Sequence, residues 1–110
     1  MDLARKIEKA RSMKGSRMII ALSPCPTGWA YDPKETAHIG QLAVKSGVWP
    51  LKEYVDGRVV HTKVPRKRVP VEEYLQLQGR YKHLFEPQRD ELLINEIQAR
   101  VDAYWAGIEQ

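Results

Sequence analysis

Three features of the sequence predict an α/β fold. A short apolar run, Met18 to Leu22, is bounded by Gly15 on one side and by Ser23-Pro24-Cys25-Pro26 on the other, the pattern of a buried strand. Asp32-Pro33-Lys34-Glu35 places an acidic N-cap before a proline at the first helical position, with a glutamate two residues on to reach back as in a capping box. Asp56-Gly57 separates two β-prone runs, and both positions of a two-residue hairpin turn favour such residues because both need positive φ.

Taken in order, residues 2–14 read as a helix with Asp2 as N-cap. Leu3, Ile7 and Ala10 lie on one face, and Gly15 follows the last turn. The strand 18–22 comes next, and we expect it to be buried, with helices 2–14 and 33–46 against it. In open α/β sheets the strand end is where ligands sit, so the only cysteine, Cys25, falls at the functional edge of the expected fold. The helix from Pro33 to Ser46 carries Ile39, Leu42, Ala43 and Ser46 on one face, with Gly47 closing it. Residues 51–55 and 58–62 form the hairpin, with Trp49 packed at its base. Residues 63–69 are a basic, proline-bounded linker. Pro70 opens a short helix to about Gln78, and Pro87 opens a long one whose apolar stripe is Ile94, Ile97, Val101, Tyr104 and Ile108. The whole, 1–110, is expected to be a single domain, with an α/β part and hairpin over 1–62 and C-terminal helices over 70–110.

At 110 residues the chain can bury a modest core. With 43% hydrophobic and 29% charged residues its composition is that of a globular rather than a disordered chain. No stretch approaches the ~18 apolar residues of a membrane span, and Met1 to Lys14 has no apolar signal region. The expectation is a soluble, cytoplasmic protein, in keeping with a lone cysteine that can form no internal disulfide. The net charge of +4 is concentrated between Arg58 and Arg68, where Arg58, Lys63, Arg66, Lys67 and Arg68 stand without an acid. Such a run suits a solvated loop, a phosphate-binding patch, or a docking edge for an acidic protein. No aromatic is interleaved with these charges, so single-stranded nucleic acid is not favoured.

Cys25 carries the most chemistry. A free cysteine is often a small buried hydrophobe. As a nucleophile it would need a base or a helix N-terminus to lower its pKa; His38 is the nearest candidate in sequence. A zinc site lacks both CxxC and paired-histidine spacing, because His38, His61 and His83 stand far apart. Cys followed by Pro is the form the last ligand takes in bacterial ferredoxin runs, but a cubane cluster needs four thiolates and this chain has one. The residues alone leave the packed thiol and the iron–sulfur ligand both open. They contain no nucleotide-binding loop, no hydrolase elbow and no paired-carboxylate motif, so no catalytic and no organic-cofactor-binding residue is assigned.

Three blocks carry a resemblance. Ser23-Pro24-Cys25-Pro26-Thr27-Gly28-Trp29, then Ala43-Val44-Lys45-Ser46-Gly47-Val48-Trp49-Pro50-Leu51, then Val71-Glu72-Glu73-Tyr74-Leu75 with Gln78-Gly79-Arg80-Tyr81, resemble the C-terminal part of the β subunit of pyruvate:ferredoxin oxidoreductases, the pyruvate synthases of the 2-oxoacid:ferredoxin oxidoreductase family. The order and spacing match from about Gly15 to Trp105. The resemblance implies a terminal piece of a thiamine-diphosphate-binding fold with a β-hairpin and C-terminal helices appended. It implies a role in oxidative decarboxylation of pyruvate, or a related 2-oxo acid, to acyl-CoA with ferredoxin as electron acceptor. It also implies that Cys25 is the fourth ligand of a [4Fe–4S] cluster whose other three cysteines lie earlier in the subunit. Those cysteines, and the family's loop for Mg²⁺ and thiamine diphosphate, are absent here. The expectation is therefore a terminal fragment, a truncated form or a split-gene subunit, inactive alone. Its partners would be the remaining β-subunit segment, the other subunits and ferredoxin, with pyruvate and CoA bound by the complex and no membrane involved. The alternative is a small basic interaction module that binds nucleic acid or an acidic protein through residues 58–68.

Overall fold

A computed structural model of the chain describes residues 1–109; Gln110, the last residue of the expected C-terminal helical part, lies outside the described residues. The chain is a small α/β protein that divides into two compact units: Met1–Leu22 with Pro50–Val64, and Ser23–Trp49 with Pro65–Gln110.

In the first unit, α1 runs from Asp2 to Ser12. It ends before Gly15, on an extended Met13, because the Met13 N–H already closes the last turn on Ala10 O (3.2 Å). Met1, not Asp2, is the N-cap residue. The sheet is an antiparallel pair, β1 (Leu51–Val55) and β2 (Arg58–Lys63). Asp56 (φ 50°) and Gly57 (φ 79°) make its turn, as the sequence predicts. Register shifts between Leu51 and Lys52, where Leu51 faces Lys63 and Lys52 faces His61. That leaves Thr62 without an opposite residue, the signature of a bulge. Thr62 ties the helix to the hairpin: its hydroxyl donates to Asp2 Oδ1 (2.6 Å) and accepts from Lys6 Nζ (3.1 Å). Lys6 also pairs with Asp2, and Lys9 with Glu53 (2.6 Å).

The expected strand 18–22 does not form. Among the described residues the only sheet is the β1–β2 pair, and residues 13–22 belong to no helix or strand, with Gly15 at φ 91°. Met18 and Ile20 are 83% and 70% exposed, so the run is not buried. A strand is held by hydrogen bonds to a neighbour distant in sequence, and none of the described residues supplies one. Local apolarity predicted the element; the partner that would complete it is not among these residues.

The second unit holds the core. A four-residue helix, α2 (Pro26–Trp29), is followed by a 3₁₀ turn, Pro33–Glu35, and by α3 (Thr36–Lys45). Asp32 caps the turn through Lys34 N–H (3.1 Å), while Glu35 pairs with His38 (3.0 Å) rather than reaching back to the cap. Ile39, Leu42, Ala43 and Ser46 are all buried, as the spacing predicts. They face α4 (Val71–Leu75), shorter than expected, whose Val71, Tyr74 and Leu75 are buried too. A 3₁₀ turn, Gly79–Leu84, leads on to α5 (Glu91–Glu109). Asp90, not Pro87, starts α5: its carboxylate accepts from Leu93 N–H (3.0 Å) and its carbonyl from Ile94 N–H (3.0 Å). The inward stripe of α5 is anchored by Ile94 and Trp105, 3% and 1% exposed, whereas Tyr104 is 38% exposed. Tyr104 and Trp105 are adjacent, so the helix can bury only one of them fully, and it buries the larger ring.

Trp105 also sets the end of α3. Its indole N–H donates to Gly47 O (2.9 Å). Gly47 has φ +84°, and a β-carbon there would stand 2.4 Å from Trp105 Nε1 and 2.8 Å from Arg68 Cδ. Among the described residues no helix is long and apolar enough to cross a membrane.

Two outcomes follow. Gly47→Ala should destabilise the chain by about 2–4 kcal/mol, adding left-handed strain to overpacking, and a denaturant titration that shows less than a few tenths would contradict the packing described. In the first unit, burial raises the Asp2 carboxyl, but hydrogen bonds from Lys6 and Thr62 and the Lys6 charge outweigh it, so its pKa lies below the usual 3.8. A lowered carboxylate stabilises the fold above its unfolded pKa and loses that contribution as pH falls through its folded value. Wild-type stability should therefore drop more steeply than that of Asp2→Asn below about pH 4; parallel stability–pH curves for the two proteins would refute the tie.

Candidate metal-ligand loop

Cys25 is exposed and stands at the N-cap of α2, not at the end of a strand. Its backbone is extended, and Pro26, at the first helical position, needs no N–H partner. The Cys25 Sγ accepts a hydrogen bond from Gly28 N–H (3.3 Å), and the Cys25 carbonyl accepts from Trp29 N–H (2.9 Å). A β-carbon on Gly28 would lie 3.4 Å from that sulfur. The turn closes on Ala30, left-handed at φ 57°, and on Tyr31 N–H donating to Pro26 O (3.1 Å).

Both flanks of the loop are held. On the N-terminal side Pro24 lies against α3, its Cγ 3.6 Å from where a Gly40 β-carbon would be. On the C-terminal side Ala30 O accepts from Gly79 N–H (2.7 Å), so close that a Gly79 β-carbon would stand 2.7 Å from Ala30 Cβ. Only glycine permits that approach. Trp29 meets the edge of Tyr31 (centroids 6.4 Å apart) and lies under the guanidinium of Arg80, whose carbon is 3.8 Å from the ring centroid. Arg80 in turn donates to Gln78 Oε1 (2.7 Å) and to Tyr74 Oη (3.2 Å). Burial pushes the Tyr74 phenol above its usual pKa, against the opposing Arg80 charge, so at neutral pH it is a neutral hydrogen-bonding group.

Sequence reasoning singled out Cys25 and did not find Arg80, Gln78 or Tyr74 as its support. The signal was present: Gln78-Gly79-Arg80-Tyr81 is one of the blocks that carry the resemblance, and the structure joins it to the Cys25 block. His38, weighed as a base for Cys25, is paired with Glu35 instead. Among the described residues no group of three or more His, Cys, Asp or Glu could hold a metal ion. The loop thus fits one thiolate ligand, presented outward and hydrogen-bonded at sulfur, and not a complete site.

The basic stretch is divided. Arg66 and Lys67 are exposed. Arg68 is not a surface charge: its side chain is 18% exposed, bonded to Asp102 (3.4 Å) and placed over Trp105 (6.0 Å). Beside it, Gln98 accepts from Val71 N–H (2.9 Å) and donates to Asp102 (3.0 Å).

No family model matches the chain. It is 49% identical over 83 residues to the pyruvate synthase subunit PorB of Methanocaldococcus jannaschii, covering 76% of this chain and 28% of that one. It is 42% identical over 101 residues to the pyruvate synthase subunit PorB of Methanosarcina barkeri, covering 92% of this chain and 34% of that one. It is also 40% identical over 85 residues to the ketoisovalerate oxidoreductase subunit VorB of Pyrococcus abyssi, covering 76% and 27%. The chain spans about a third of the length of the curated relatives it matches. Identity at this level over most of its own length makes it a PorB-type segment, corresponding to about a third of such a subunit.

Proposed function

We propose that this chain is the portion of a 2-oxoacid:ferredoxin oxidoreductase β subunit that supplies the fourth cysteine ligand, Cys25, to a [4Fe–4S] cluster. The enzyme it serves would oxidise pyruvate or a related 2-oxo acid to acyl-CoA, with thiamine diphosphate and Mg²⁺ held by other parts of the assembly. The fold of origin would be the thiamine-diphosphate-binding fold, and the setting cytoplasmic. The observation that carries the reading is the loop itself: an outward thiol on a short proline-braced turn, accepting one N–H and gripped on both flanks.

The residues have separate tasks. Cys25 would supply its sulfur to iron, and the Gly28 N–H, 3.3 Å from that sulfur, would withdraw charge from it. Hydrogen bonds to ligand sulfurs and their solvent exposure are what the protein uses to set a cluster's potential. When bound, the cluster would carry single electrons toward ferredoxin. Pro24 and Pro26 limit the backbone on either side of Cys25. The exposed apolar run Met18–Leu22 fits an extended segment that pairs with the rest of the subunit.

In the reconstituted enzyme, Cys25→Ala should lower iron and labile-sulfide content and ferredoxin reduction while leaving thiamine diphosphate binding intact. A full complement of clusters with normal electron transfer would return Cys25 to an ordinary surface thiol.

The exposed Arg66 and Lys67 favour docking of an acidic partner, ferredoxin or a sister subunit. No observation favours nucleic acid, since Arg68 is taken up by Asp102 and Trp105. Rim charges act on association rate and its salt dependence more than on final affinity. Reversing both, Arg66→Glu with Lys67→Glu, should slow ferredoxin reduction at low salt by about tenfold and shrink the difference at high salt. An unchanged low-salt rate would remove these residues from the docking surface.

A further inference from the structure

A connected path of contacts leads from Arg80 to the sulfur of Cys25. The Arg80 guanidinium sits 3.8 Å over the Trp29 ring and is itself fixed by two hydrogen bonds, to Gln78 Oε1 and Tyr74 Oη. Both supports are rigid. Gln78 is 1% and Tyr74 4% exposed, and the Gln78 amide is oriented by its second bond, Nε2–H to Tyr74 O (2.6 Å). Trp29 is the last residue of α2, and its N–H closes that turn on Cys25 O (2.9 Å). One residue earlier, Gly28 N–H meets Cys25 Sγ. Because α2 is four residues long, it has little helical stability of its own. Its geometry must be imposed from outside, and Arg80 with Gly79 is what touches its C-terminal end.

We infer that Arg80 is a positioning residue for Cys25: by holding Trp29 it keeps the α2 turn wound and thereby keeps the Gly28 N–H directed at the sulfur. The effect on the thiol stands on the geometry alone; the effect on a bound cluster rests on the reading above. Lysine cannot replace this arginine, because an ammonium cannot cover an aromatic face and fork to two acceptors at once.

In the 110-residue chain, exchange of the Gly28 amide should accelerate by about tenfold or more in Arg80→Ala. Arg80→Lys should follow the alanine variant rather than the wild type. Arg68→Ala is the control, since it removes a guanidinium over a different tryptophan, Trp105, in the same unit. It should lower the unfolding midpoint without a comparable acceleration of Gly28 exchange. Wild-type Gly28 exchange in both Arg80 variants would overturn the inference, and so would an equal acceleration in Arg68→Ala, which would mark the effect as general loosening. If Arg80→Ala does not fold, Arg80→Lys decides the question alone. In the assembled enzyme the same substitution should shift the reduction potential of the cluster. If Cys25→Ala keeps its clusters while the change in Gly28 exchange holds, the cluster assignment fails and the positioning role stands.

Discussion

The hydrogen bond from the Trp105 indole to Gly47 O, made in a space that admits no β-carbon, is the contact on which the second unit depends. It fixes α5 against the end of α3. With α5 fixed, Gln98 and Asp102 are presented on one side, and they take up the Val71 N–H and the Arg68 guanidinium. The connector is thereby anchored, a hold reinforced by Val69 N–H on Lys45 O (3.1 Å), and α4 starts at a defined place. From α4 come Tyr74 and, just beyond it, Gln78, which aim Arg80 at Trp29. The position of Cys25 is thus set by packing many residues away in sequence.

That dependence places polar groups where their energetics matter most. Gln78 and Ser46 are the buried polar residues of the core, and each is satisfied. Gln78 has both amide ends engaged, while Ser46 donates to Ala43 O and accepts from Val48 N–H. A buried amide with one end unmet costs roughly 1–3 kcal/mol, so each partner of Gln78 is held by the penalty of losing it. The same low-dielectric setting strengthens the bonds that hold Arg80. The exposed ion pairs of α5, such as Arg100 with Glu96, are worth a few tenths of a kcal/mol at most and do not compete with these terms in shaping the unit.

What could be read from the sequence follows a physical boundary. Elements fixed by local rules were legible. The Asp56-Gly57 turn sets its own hairpin, and Asp32-Pro33 with Gly47 brackets a helix whose Ile39, Leu42, Ala43 and Ser46 all turn inward. Elements fixed by distant partners were not. Met18–Leu22 has the composition of a strand, but pairing requires a neighbour that these residues do not contain. The choice of Trp105 over Tyr104 depends on the rotation of α5, which is set by Gly47 and Arg68 and not by periodicity alone. Arg68 looked like its neighbours Arg66 and Lys67 because charge is visible in sequence and burial is not. Cys25 was identifiable as the residue with chemistry, whereas its support by Arg80 required three-dimensional contact.

The two sides of the Cys25 loop are held unequally, and this bears on how its sulfur is directed. Before Cys25 the hold within its unit is a van der Waals contact between Pro24 and the surface of α3 at Gly40, which resists approach but specifies little orientation. After Cys25 the hold consists of a backbone hydrogen bond at Gly79, a guanidinium over an aromatic face and an edge-on ring contact, all directional. Directional contacts fix rotation as well as distance. The orientation of the thiol is therefore determined from the C-terminal side, by residues 74–80, while the N-terminal side supplies reach and the stiffness of Pro24. Ser23–Trp29 and Gln78–Tyr81 contain one sulfur between them, and the second block meets the first as the part that orients it.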